Sequence, residues 1–112
     1  MNSIKNKTQL IGHLGKKPEI RESNGGKKVA NFSVATNNVY YDKEGKKVEE
    51  TQWHNIVAWG KLAEISEQFL DKGKEIAVEG RLIYRNYDDK DGNKKYITEI
   101  VANEILMLGK KS

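Results

Sequence analysis

The chain has 112 residues, enough for one domain with one compact core. Its 32% charged and 37% apolar residues are the composition of a folded globular domain, and the lack of cysteine removes disulfide frameworks and thiolate metal sites. No apolar run reaches the length of a membrane span, and the first seven residues lack the core of a signal peptide, so the expected compartment is the cytoplasm. The net charge of +4 is unevenly placed. Residues 1–28 carry seven basic against two acidic groups, while the remaining residues are nearly balanced. Such a concentration favours a polyanionic partner more than the total does.

In chain order, residues 8–14 read as a first strand, with Leu10, Gly12 and Leu14 on one face. Gly12 inside it signals a bulge or a close backbone approach. Gly15 to Pro18 ends the strand, Glu19 to Arg21 returns briefly to extended structure, and Asn24-Gly25-Gly26 marks a turn. Residues 29–39 alternate as a second strand. Tyr40 to Glu50 is polar and reads as a long hairpin loop.

A third strand follows at residues 52–59. Trp53, Asn55, Val57 and Trp59 face one way; His54, Ile56 and Ala58 face the other. Two indoles and an amide make a poor core face, because each buried indole N–H needs a partner, and a better binding face. After Gly60 the period changes. Leu62, Ile65, Phe69 and Leu70 recur at helical spacing, with Gly73 expected just past the helix end. Residues 75–87 form a fourth strand. Asp91-Gly92 marks a hairpin turn, and residues 95–108 form a long, bent fifth strand. The expected class is all-β with one helix: a five-stranded OB-fold barrel with its helix between strands three and four. The competitor is an open five-stranded sheet crossed by one helix.

The chemistry of an enzyme is missing from the pattern. His13 and His54 lie on different strands, and the cluster of Asp88, Asp89 and Asp91 lacks the spacing of a calcium loop. No cofactor and no metal is expected. Aromatic residues are only 8% of the chain, yet they gather with cations where a binding surface would be. Tyr40 and Tyr41 open the loop, Trp53 and Trp59 line strand three, and Tyr84 and Tyr87 flank Arg85. Flat rings for bases and cations for phosphates are how single-stranded nucleic acid is held. Phe32, Phe69 and Tyr96 are assigned to core or helix packing.

The run Thr51-Gln52-Trp53-His54-Asn55-Ile56-Val57-Ala58-Trp59-Gly60-Lys61-Leu62-Ala63-Glu64 resembles the signature of bacterial single-stranded DNA-binding proteins. Leu10 to Gly15, Val29 to Thr36, Leu70 to Gly73, Val78 to Leu82 and Thr98 to Ala102 resemble further segments of that family in the same order. The resemblance implies an OB fold at residues 1–109, followed by a short basic end at 110–112. It implies a homotetramer that coats single-stranded DNA, without regard to sequence, during replication, recombination and repair in the cytoplasm, near the nucleoid. Four stacking positions of the family match Tyr40, Trp53, Trp59 and Tyr87, two of them Tyr where Trp is frequent. Basic groups implied near the strand are Lys7, Lys61, Lys72 and Arg85, and His54 matches a position at the subunit interface.

The family continues into a flexible linker and an acidic tip that recruits other proteins. This chain stops at Lys111-Ser112. A shortened piece and a natural short form are the two expectations, and recruitment is not carried over. The alternative readings are a dimeric primosomal replication protein of the same fold, a hydrolytic OB-fold nuclease, and an RNA-binding OB module, which base-tolerant stacking leaves open.

Overall fold

The alternation seen in the sequence becomes six strands and one α-helix, preceded by a short 3-10 helix at Ile4–Asn6, in a computed structural model, which describes residues 4–23 and 25–109. Asn24 of the expected turn and the basic end at 110–112 lie outside the described residues. The elements are β1 (Thr8–Leu14), β2 (Glu19–Glu22), β3 (Lys28–Tyr41), β4 (Lys47–Trp59), α1 (Lys61–Phe69), β5 (Glu75–Asp88) and β6 (Lys94–Met107). The sheet runs β1-β5-β6-β4-β3-β2, and a second pairing of β1 with β3 closes five of these strands into a ring. Closure uses one parallel contact, β4 beside β6, and leaves the short β2 on the outer side of β3. This is the expected OB barrel, with α1 between its third and fourth strands. The brief return to extended structure after Pro18 adds a sixth strand outside it.

The core is filled from the inward parity of each strand. Phe32, Val34, Ile56, Ile76, Val78 and Ile100 are all buried within it. β1 must reach both β3 and β5, which brings backbones together at Gly12. A side chain there would begin 2.1 Å from the Ala35 carbonyl oxygen, so the glycine marks a close approach. The bend expected late in the chain is a register shift between Glu79 and Gly80 of β5, where β6 gains one residue.

Three expectations are corrected. Tyr40 to Glu50 is not a long loop. β3 and β4 stay paired out to Tyr41 and Lys47, and only residues 42–46 turn. Asp42 makes this tight: its Oδ1 accepts the amide N–H groups of Glu44 and Lys46, each at 2.9 Å, and Gly45 takes φ 79°. The β5–β6 hairpin repeats the device. Asp89 Oδ1 accepts from Asp91 and Asn93 and Gly92 takes φ 82°, so the turn spans five residues instead of an Asp-Gly pair. Both hairpins run past the core as arms. The radius of gyration is 16.1 Å, against about 13 Å for an ordinary domain of this length.

The helix is the second correction. Ala63, Ser66 and Leu70 face inward, one turn-spacing apart, which leaves Phe69 rotated outward and 52% exposed. The helix also ends earlier than expected. Leu70 is already extended, and Gly73 sits in the following turn, donating its N–H to the Leu14 carbonyl. Tyr96 is the third. It lies on the β5–β6 arm, opposite Asn86, and is 75% exposed. Phe32 is core, as expected.

Candidate nucleic-acid interface

On β4 the split by parity holds. Ile56 and Ala58 are buried in the barrel, whereas Trp53 is 59% and Trp59 45% exposed on the outer surface. Val57, between them, is covered by its neighbours. Six residues at strand rise separate the indoles by about 20 Å along β4. Trp53 does not stand free. Its ring lies over Gly15, where a Cβ would come 2.6 Å from the indole. Gly15 therefore lets the ring lie down on the β1–β2 connection. Gly15→Val should push it off, changing the near-ultraviolet circular dichroism of Trp53 while the far-ultraviolet spectrum keeps its β signature.

The strand register carries the outer face sideways from β4. Ser33 pairs with Asn55, Asn55 with Glu99, and Glu99 with Ile83, so β3, β4, β6 and β5 form one row between the indoles. Glu99 is only 5% exposed although it is on the outer parity. It is covered by Arg85, which donates from Nε and Nη2 to the two carboxylate oxygens at 2.8 and 2.9 Å. This bidentate pair fixes the planar guanidinium across the sheet. The hydrogen bond to Glu99, reinforced by its charge, raises the Arg85 pKa further above its ordinary value, so the cation persists at any working pH. Arg85 itself remains largely exposed.

The candidate residues divide by position. Trp53, Trp59, Arg85 and Tyr87 share the outer face, with Tyr87 54% exposed on the β5–β6 arm, opposite Lys95. Lys61 opens the helix next to Trp59 and has no ion pair among the described residues. Lys72 sits in the turn near Leu14, away from this row, and Lys7 is held at 3.1 Å by Glu79. Tyr40 is opposite Val48 and shares its parity with His54; Tyr41, 69% exposed, is the tyrosine on the parity of Trp53. His54 is half-buried on the inner parity, its Nε2 2.9 Å from the Thr36 hydroxyl.

Glu99 is the site residue that sequence reasoning missed. Its signal exists only after the β5–β6 register is known, because that register brings Arg85 within two residues of it across the strands. No group of three or more His, Asp or Glu among the described residues is arranged to hold a metal ion.

Comparison with known proteins adds an independent finding. The model of the single-strand binding protein family matches residues 5–108. The chain is 53% identical over 107 residues to single-stranded DNA-binding protein 1 of Chlorobaculum tepidum, covering 95% of this chain and 66% of that one. It is also 53% identical to single-stranded DNA-binding protein 1 of Xylella fastidiosa, covering 79% of that protein. The chain therefore spans just under two thirds of the first relative's length. Among solved structures, a Plasmodium falciparum complex of such a protein with single-stranded DNA matches with a TM-score of 0.88 at 34% identity, over 97% of this chain and 98% of that one. A deletion mutant of the Thermus aquaticus single-stranded DNA-binding protein matches with a TM-score of 0.81 at 35% identity, over 93% of this chain and 50% of that one.

Proposed function

We propose, because the chain belongs to the single-strand binding protein family, that residues 1–109 form one domain that binds single-stranded DNA without regard to sequence. The observation that carries this reading is the pair of solvent-exposed indoles on one outer sheet face, with the Arg85 cation fixed between the barrel and Tyr87. Bases stack on Trp53, Trp59 and Tyr87, and phosphates meet Arg85 and Lys61. Tyr40, exposed on the β3–β4 arm, is kept as a further stacking position, and Lys7 and Lys72 add long-range attraction. Stacking accepts every base, because every base has a π face. The protein coats exposed strands during replication, recombination and repair in the cytoplasm, and carries out no catalysis.

Salt tests the electrostatic half of this account. The log of the affinity for oligo-dT should fall linearly with log salt, with a slope of about −0.7 per phosphate contacted. A slope near zero would remove the phosphate contacts from the account.

The assembly is a homotetramer in this reading. His54 lies on the parity opposite the indoles, and Ile11 and Leu106 stay exposed around a shared groove on β1, β5 and β6. His54→Trp should then loosen the oligomer by crowding Thr36 and whatever packs beyond it. Native mass spectrometry at falling concentration reads the effect; a mass unchanged from that of the parent would contradict it.

A further inference from the structure

A carboxylate sits in the middle of a face that meets a polyanion. Glu99 is on the outer parity of β6, in register with Asn55 of β4, which stands between Trp53 and Trp59 along that strand. Left bare, its charge would repel phosphates there. It is not bare, because Arg85 lies over it. The Glu99 side chain keeps 6% of its exposure and that of Arg85 keeps 61%, so the guanidinium is the outer member of the pair.

The edge of the guanidinium that is used decides what remains. Nε and Nη2 donate to the two carboxylate oxygens, which is a side-on grip. Nη1 and the second N–H of Nη2 have no hydrogen-bond partner among the described residues. Together they form the planar fork that matches two phosphate oxygens. Glu99 also draws the guanidinium sideways. Arg85 is two residues from Tyr87 on the β5–β6 arm, yet its head is bonded to a residue of β6 paired with β4. An arginine without that grip is free to extend along the arm into water.

We propose that Glu99 is a positioning residue for single-stranded DNA: its carboxylate holds Arg85 by one edge between the indoles and Tyr87, so that the free fork of the guanidinium meets a phosphate of the strand running between those rings. The inference rests on the DNA-binding reading and deepens it. An acid strengthens the binding of a polyanion by ordering the cation above it. Arg85 is already held before DNA arrives, so its rotamer freedom is not lost on binding, which is worth roughly two- to tenfold in affinity. The contact carries no base preference, because phosphates hold no sequence information.

Charge and positioning predict opposite signs. Glu99→Gln removes a negative charge from the face, so Coulomb attraction alone should tighten the binding of oligo-dT by the full chain. The amide accepts only through its single oxygen and carries no charge, so its grip on Arg85 is weaker. The expected result is therefore an affinity lower by roughly two- to tenfold, in a protein whose urea midpoint shows that it is folded. A merely structural Glu99 would produce the same loss with or without Arg85. In the Arg85→Ala background, Glu99→Gln should lower the affinity no further. Arg85→Lys keeps the charge at an exposed position but lacks the fork, and it too should bind about twofold or more weakly. That variant decides the matter if Glu99→Gln fails to fold. Unchanged or tighter binding by a folded Glu99→Gln, an equal loss in the Arg85→Ala background, or parental affinity in Arg85→Lys overturns the positioning role while leaving the DNA-binding reading in place. Absence of oligo-dT binding by the parent overturns both.

Discussion

Replacing Trp53 and Trp59 together with alanine should cost roughly 2–6 kcal/mol of oligo-dT affinity, at least about 30-fold in Kd, because each stacked base contributes about 1–3 kcal/mol. The two rings are about 20 Å apart along β4, so the single substitutions should add. Both are half or more exposed or close to it, and neither belongs to the core cluster. The double variant should therefore keep a cooperative unfolding transition close to that of the parent, measured by urea denaturation beside the binding titration. Loss of that transition would mean that the indoles hold the barrel together and that the outer face has been misread. Retained affinity would mean that bases do not stack there.

The largest effect on the fold is expected at Gly80. This residue is buried at the register shift of β5, and a Cβ would begin 2.2 Å from the Val101 carbonyl oxygen and 2.8 Å from its carbon. Both atoms are backbone, so no side chain can turn aside. Gly80→Ala must push β6 away from β5 at the point where the bulge bends the barrel closed. Ordinary overpacking of a core costs about 1–3 kcal/mol, and displaced backbone should exceed that range. Total stability of small domains is only about 5–15 kcal/mol, so the urea midpoint should drop steeply or the protein should fail to fold. An unchanged midpoint would show that the β5–β6 seam is looser than its geometry implies.

The barrel was legible wherever one face of a strand is buried. β1 and the inner parity of β4 follow directly from alternation, because Leu14, Ile56 and Ala58 are excluded from water and their neighbours are not. The arms were illegible for the same reason. From Asn37 to Tyr41 every residue is exposed, so nothing periodic marks the pairing that ladder hydrogen bonds maintain there. A polar segment with a Gly near its middle reads as loop, and only the Asp42 carboxylate at the turn reveals how tight it is. Phe69 was misassigned because a nine-residue helix buries a narrow stripe, and one residue of rotation decides which apolar side chain it includes.

The site followed the same division. Trp53 and Trp59 stood out as residues ill-suited to a core, and they are exposed. The tyrosines at 40 and 41 could not be told apart from composition, since parity on a long arm depends on where the turn falls. Glu99 was invisible because an acid on a strand normally points to water, and its burial is produced by a guanidinium from another strand. Sequence patterns report burial by apolar neighbours well; they do not report burial by a hydrogen-bonded cation.

The most direct measurement is a titration of the intrinsic tryptophan fluorescence with oligo-dT and, separately, with duplex DNA of the same length at the same salt. Both tryptophans of the chain are on the candidate face, so the signal comes from the site itself. The account predicts saturable quenching by the single strand at concentrations where the duplex leaves the emission unchanged. Equal quenching by both, or by neither, would contradict it.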